Sequence, residues 1–320
     1  MARPMHRIVY LESGALIADL RRPAFPHTWT EHVATAQADV AGRLAGASIA
    51  VVNKLRLDAG TIAALPDLRM VAIAATGYNN IDLDACRARG IVVSNVRGYA
   101  RETVPEHVFA LLLALSRQIG PFHRSVAAGR WQKSEQFCYF DYPIRDLAGR
   151  TLGILGSGVL GDGVARLAEA FGMRVLRGER KGVTDLREGY TGFDQLLREA
   201  DVISLHCPLN DSTRHLIGAA ELAAMKPGAL LINTARGGLV DEQALATALR
   251  AGHIGAGFDV LTEEPPRDNP LLAPDLLEAG NFILTPHVAW SSREAMQVLA
   301  DQLIDNIEAF VAGQARNRVA

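Results

Sequence analysis

The sequence predicts an α/β protein made of two doubly wound parallel sheets. Three observations carry this. Short runs rich in Val, Ile and Leu alternate with helical segments through both halves of the chain, the pattern of a parallel sheet covered on both faces. A glycine-rich turn, Gly156-Ser-Gly158-Val-Leu-Gly161, opens a second such series at mid-chain. The length of 320 residues, 49% hydrophobic and 21% charged, suffices for two ordinary domains, each with its own core.

In the first half, Arg7–Leu11, Ile49–Val52, Met70–Ala74 and Gly90–Val93 read as buried strands, with helices over Thr30–Ala45, Thr61–Leu65 and Asp82–Arg89 between them. A long helix is expected from Thr103 to about Arg130. Val104, Val108, Leu111, Leu115, Ile119, Phe122 and Val126 step by three or four and make one apolar face. Pro105 sits near its start, where proline is tolerated. Glu106 and His107 fall in the first turn, where Glu106 complements the helix dipole.

From Thr151 the second series begins. Its strand candidates are Leu152–Leu155, Met173–Leu176, Val202–Leu205, Ala229–Ile232, Gly255–Val260 and Phe282–Leu284, about six in all. The chain closes with an amphipathic helix, Ser291–Ala312, carrying Met296, Leu299, Leu303, Ile307 and Phe310 on one face. No repeat of solenoid period and no low-complexity segment is present.

The glycine turn follows an apolar strand and leads into a helix, Val159–Phe171, of the right length for a dinucleotide fold. Glycines there allow a tight turn and close backbone approach to a pyrophosphate, which the helix N-terminus attracts. Glu179 follows the next strand, where an acidic residue would meet the adenosine ribose hydroxyls of NAD. Arg180 and Lys181 come next and suit a 2′-phosphate. Glu179 would repel that phosphate, so NAD is preferred and NADP remains open.

Three blocks follow later strands: Ile232-Asn-Thr-Ala-Arg236-Gly-Gly, Gly257-Phe-Asp259-Val-Leu-Thr-Glu263-Glu264-Pro265 and Leu284-Thr-Pro-His287-Val-Ala-Trp290. All three lie at the carboxyl edge of the sheet, where open α/β folds bind ligands. Oxidation of an alcohol beside a carboxylate needs a guanidinium to hold the carboxylate and a histidine to take the hydroxyl proton. A second carboxylate must orient that histidine. Arg236, His287 and Glu264 are those residue types. Taken singly, each also suits a surface ion pair or a loop; together, downstream of the glycine turn, they point to hydride-transfer chemistry.

Net charge is −2 and basic residues are not clustered, so nothing favours nucleic acid or an anionic membrane. Three scattered cysteines, Cys86, Cys138 and Cys207, make a poor disulfide framework, and no metal-binding spacing occurs. The N-terminus lacks an apolar signal core, and the longest apolar run, Val108–Leu115, is too short to span a bilayer. A cytoplasmic location is expected.

On Gly156–Gly161, Asn233-Thr-Ala-Arg236-Gly, Phe258-Asp259-Val, Glu264-Pro265 and Thr285-Pro-His287, the chain resembles the D-isomer-specific 2-hydroxyacid dehydrogenase family over essentially its whole length. The resemblance implies a flavodoxin-like substrate lobe, 1–100 plus 290–320, and a Rossmann NAD-binding lobe, 101–289, with an active-site cleft between them and a homodimeric assembly. It implies that Arg236 binds substrate, Glu264 pairs with the histidine and His287 moves the proton. Gly156, Gly158, Val159, Leu160 and Gly161 would meet the pyrophosphate, and Glu179 and Arg180 the ribose end. Cys207, Pro208 and Thr213 would lie along the adenosine side, and Thr234, Ala235, Arg236, Asp259 and His287 toward the nicotinamide. Thr76, Gly77, Tyr78 and Trp290 would line the substrate. Cys207 is then a packing residue of the cofactor wall and not a nucleophile.

Within the family, Ala75-Thr-Gly-Tyr-Asn-Asn-Ile-Asp82 and Thr285–Trp290 look most like the glycerate dehydrogenase (hydroxypyruvate reductase) branch. The implied reaction is NAD-dependent reduction of a small 2-oxo acid, hydroxypyruvate or glyoxylate, to the D-2-hydroxy acid, and its reverse. The alternatives are a non-enzymatic dinucleotide sensor on the same fold and an enzyme acting on formate or phosphite. The tract Trp131–Pro143 departs from the family pattern.

Overall fold

Five strands form one parallel sheet: β1 (His6–Tyr10), β2 (His27–Glu31), β3 (Ile49–Val52), β4 (Met70–Ile73) and β5 (Val92–Ser94), in the order β2-β1-β3-β4-β5. The inner strands β3 and β4 are buried at every residue, as expected of a parallel sheet covered on both faces. Seven more strands form a second, wholly parallel sheet: β6 (Thr151–Leu155), β7 (Arg174–Gly178), β8 (Tyr190–Thr191), β9 (Val202–Leu205), β10 (Leu230–Asn233), β11 (Gly255–Phe258) and β12 (Phe282–Leu284). Their order is β12-β11-β10-β9-β6-β7-β8. The first order is the flavodoxin-like one, and the second is the Rossmann order with one further strand at its edge.

The computed structural model describes residues 5–320. They divide into two units, one running to Ala100 and resuming over Ser291–Ala320, the other Arg101–Trp290. In the first unit the C-terminal segment lies against β5: Val319 N donates to Val93 O at 2.8 Å, and Val93 N donates to Ala320 O at 3.1 Å. The helix Arg293–Val311 belongs to this unit, and the amide of its buried Asn306 donates to Asn95 O at 2.9 Å.

The structure departs from the sequence reading in three places. The helix expected over Thr30–Ala45 is instead β2 followed by a short helix, Val40–Arg43. Thr28, Trp29 and Thr30 are β-favouring residues that pair along β1, and Thr35 Oγ1 donates to Leu11 O at 2.6 Å, tying down the chain beyond the strand. The long helix from Thr103 divides into Thr103–Ser116 and Ile119–Ala127. Gln118 at the break adopts φ 55°. Pro121 then falls in the first turn of the second helix, where its missing N–H costs nothing, and not in a helix interior, where it would clash. The second sheet has seven strands where six were expected, because the two-residue β8 is too short to leave a hydrophobic signature.

Ile203, at the middle of β9, is wholly buried in the core of the second sheet. Ile203→Ala should destabilise the protein by about 2–5 kcal/mol through lost contact and the cavity left behind. Ile17→Ala, at a site 79% exposed, should cost less than about 0.5 kcal/mol; chemical denaturation of both variants checks the contrast.

Candidate active site

At the nucleotide end, the three glycines of the turn do different work. Gly156 has φ 107°, and a Cβ there would lie 2.5 Å from the backbone of His206. A Cβ on Gly161 would lie 2.3 Å from Gly156 O. Both positions therefore exclude a side chain. Gly158 caps the helix Val159–Ala170, and a Cβ there would meet nothing within 4 Å. Only this middle glycine borders open space, beside the first-turn amides of Val159, Leu160 and Gly161, which have no intrahelical acceptor. The buried hydroxyls Ser157 Oγ and Thr234 Oγ1 have no hydrogen-bond partner among the described residues. Such groups are costly to leave unsatisfied. Open space at Gly158, free first-turn amides and two orphaned hydroxyls fit a bound dinucleotide.

Glu179 stands just past β7 and is 4% exposed. Its carboxylate accepts from the Arg180 amide at 2.9 Å and from Arg187 Nε and Nη2 at 2.6 and 2.9 Å. The Arg187 guanidinium holds its pKa down to about 2. Lys181 is drawn to Glu221 at 2.7 Å. Past β9, burial pushes the Cys207 thiol up to about 11, which removes it as a nucleophile. Burial likewise lowers His206 to about 4; its Nε2 lies 2.8 Å from Ser204 Oγ, so the ring is neutral. Thr213 Oγ1 donates to Pro208 O at 2.7 Å and accepts from Asn210 N at 2.8 Å, fixing the loop that follows.

At the chemistry end, β10, β11 and β12 deliver three loops from neighbouring strands. Asn233 closes the first: its Oδ1 accepts from Ala235 N at 3.0 Å and its Nδ2 donates to Arg236 O at 2.9 Å. Arg236 Nη1 donates to Ala235 O at 2.6 Å. A Cβ on Gly237 would sit 2.0 Å from the Leu261 carbonyl carbon, so only glycine lets the Arg236 loop press against the loop that carries Glu264. Glu264 Oε1 accepts from Leu261 N at 3.0 Å, and its Oε2 lies 2.5 Å from His287 Nδ1. Nδ1 is thereby the protonated nitrogen, and Nε2 remains to exchange a proton.

His287 adopts φ 56°, unusual for a residue with a Cβ. Asp259, 1% exposed, explains how this is held. Its backbone carbonyl accepts from His287 N at 2.8 Å. Its Oδ1 accepts from Thr285 Oγ1 at 2.6 Å and Val288 N at 2.9 Å, and its Oδ2 accepts from Ala289 N at 2.8 Å. Because the Thr285 hydroxyl donates to Asp259, it accepts from His107 Nε2 at 3.0 Å. Trp290 Nε1 donates to His287 O at 3.0 Å.

Thr76, Gly77 and Tyr78 belong to the other unit, in the loop after β4. Thr76 Oγ1 donates to Val96 O at 2.8 Å, and Asn95 Nδ2 donates to Thr76 O at 2.7 Å. In the same unit Glu12 gathers the amides of Asn53, Lys54 and Leu55, the nearest at 2.7 Å.

The structure thus joins His287 to Glu264 directly and brings Asp259 onto the loop that carries Glu264, while the guanidinium of Arg236 donates to the neighbouring Ala235 carbonyl. Sequence reasoning missed Arg187, His107 and Glu12 as supporting residues. Only His107 carried a signal, a polar residue in the first turn of an otherwise apolar helix face.

The family model of the D-isomer specific 2-hydroxyacid dehydrogenase NAD binding domain matches residues 109–289. The chain is 50% identical to a glycerate dehydrogenase of Methylorubrum extorquens over 98% of each chain. Among solved structures, it is similar to an NADPH-dependent glyoxylate/hydroxypyruvate reductase from Sinorhizobium meliloti, with TM-score 0.80, 30% identity and 98% of each chain covered. It is also similar to a D-lactate dehydrogenase from Aquifex aeolicus complexed with NAD and lactic acid, with TM-score 0.77, 28% identity and 96% of each chain covered.

Asp259→Asn should place an amide donor against backbone and hydroxyl donors. The expected loss is about 2–3 kcal/mol of stability, read by denaturation, together with a fall in kcat as the His287 loop loosens.

Proposed function

Given that this chain belongs to the D-isomer-specific 2-hydroxyacid dehydrogenase family, we propose that it reduces hydroxypyruvate and glyoxylate to D-glycerate and glycolate with NADH, and catalyses the reverse reaction. It is an oxidoreductase with an NAD-binding domain. The observation that carries the reading is the 2.5 Å contact between Glu264 and His287 Nδ1, at the sheet edge where Arg236 also emerges. The activities named for relatives from Methylorubrum and Sinorhizobium support the choice of substrate.

Gly158, Val159, Leu160 and the hydroxyls of Ser157 and Thr234 would hold the dinucleotide, with Glu179 at its adenosine ribose. Bound NADH supplies a hydride to the carbonyl carbon. The chain's own residues do the rest. Arg236 binds the substrate carboxylate through its planar fork and fixes which face of the carbonyl is presented. His287 delivers a proton from Nε2 to the carbonyl oxygen as it becomes an alkoxide. Glu264 holds Nδ1–H, keeping the ring oriented. Asp259 keeps His287 in place along the nicotinamide side. Trp290, whose indole N–H is tied to the His287 carbonyl, limits the size of the acid. A nucleotide sensor would have no use for a histidine locked to a carboxylate in this way.

The protein is further read as a cytoplasmic homodimer. No helix among the described residues is long and apolar enough to cross a membrane. The side chains of Trp131, Phe137 and Phe140, up to 88% exposed, form an apolar tract suited to burial against a second copy.

The test is NADH oxidation followed at 340 nm over a panel of 2-oxo acids, with formate and phosphite offered with NAD. Turnover of hydroxypyruvate or glyoxylate is expected. His287→Gln should lose roughly 10²–10⁴-fold in kcat with NADH binding retained, and Arg236→Lys should raise KM because an ammonium cannot reproduce the fork. Turnover confined to formate or phosphite, or undiminished in His287→Gln, would overturn the reading.

A further inference from the structure

The end of β7 and the loop after it bring four cations, Arg177, Arg180, Lys181 and Arg187, near Glu179, the one buried acid there; Asp185 and Glu188 of the same loop are exposed. Arg177 is bound to Asp162 at 2.6 Å and Lys181 to Glu221 at 2.7 Å. Arg180 is exposed and makes no ion pair among the described residues. Arg187 grips Glu179 with two donors, at 2.6 and 2.9 Å, and its Cζ lies 3.8 Å from the Tyr190 ring centroid, so it is held from two sides. It nevertheless leaves 55% of its side chain exposed, whereas Glu179 shows 4%.

We propose that Arg187 sets the cofactor choice of this protein by neutralising Glu179, so that the ribose end accepts a 2′-phosphate as well as a free 2′-hydroxyl and NADPH binds alongside NADH. The proposal rests on the reading that Glu179 faces the adenosine ribose. A lone ionised carboxylate a few ångströms from a phosphate dianion would repel it by an amount worth roughly tenfold or more in affinity, even in water. Paired with Arg187 the carboxylate carries no net charge, and Arg180 adds one positive charge beside it. A guanidinium is also the side chain best shaped to take a phosphate.

The free hydroxyl is not excluded. Glu179 Oε1 already accepts two hydrogen bonds, but Oε2 accepts one and keeps a lone pair for a ribose hydroxyl.

Dissociation constants for NADH and NADPH, read from nucleotide fluorescence without turnover, test the proposal. In the parent protein the two should agree within about tenfold. Arg187→Gln should raise the ratio of the NADPH to the NADH constant by roughly tenfold or more, with NADH binding retained as evidence that the loop still folds. Glu179→Gln should lower the ratio. The double variant should return it toward the parent value, since no bare carboxylate remains. An unchanged ratio in Arg187→Gln, with a shift in Glu179→Gln, would overturn the proposal alone. No shift in either variant would also overturn the placement of Glu179 at the ribose. A double variant as poor toward NADPH as Arg187→Gln would show direct phosphate contact in place of neutralisation.

Discussion

One buried carboxylate organises the reacting end of this protein. Asp259, nearly sealed from solvent, takes a hydroxyl and two backbone amides from the loop after β12, while its own carbonyl takes the amide of His287. A left-handed backbone at a histidine is unfavourable in isolation and persists only where its surroundings over-determine it. Four hydrogen bonds from one residue provide that. The ring is then fixed from the other side by Glu264, so backbone and side chain are set by two acids from a single connecting loop. The arrangement also explains why the Glu264 loop and the Arg236 loop must touch: without the close approach at Gly237 the carboxylate and the guanidinium would be delivered by independently moving segments.

The glycine turn shows the same economy. Two of its glycines are required by the protein's own backbone, and the third borders open space. A motif read as a single signal is in fact two structural demands and one position free of them, which is why such motifs mean little without the strand and helix on either side.

Much of this was legible in the sequence. β9 and β12 run where their apolar residues place them, and Glu264 and His287, expected to pair, lie 2.5 Å apart. What escaped has physical causes. The helix expected over Thr30–Ala45 gives way at its start to β2, because Thr28-Trp29-Thr30 extend along β1. The break at Gln118 was invisible to a periodicity that continues across it, since Ile119 and Phe122 keep the stripe although the backbone turns. Arg187 and Glu12 act through partners 8 and 41 to 43 residues away, and no local pattern marks either. Asp259 could be seen as a polar residue at the sheet edge, but not as the anchor of a loop about 30 residues on.

The interrupted course of the first unit governs the order in which the molecule can be made. The second unit is one continuous stretch, Arg101–Trp290, whose contacts are all available once that stretch has been synthesised. The first unit needs residues from both sides of it: Asn306 reaches Asn95 across 211 positions, and the edge of β5 waits for Val319 and Ala320. Loop closure over such a separation carries an entropic cost that an unstructured intervening chain would make larger and a folded one makes smaller. On the ribosome, therefore, the five-stranded sheet is the part exposed longest with an uncovered edge, and the prior folding of the inserted unit is what brings its missing helix within reach.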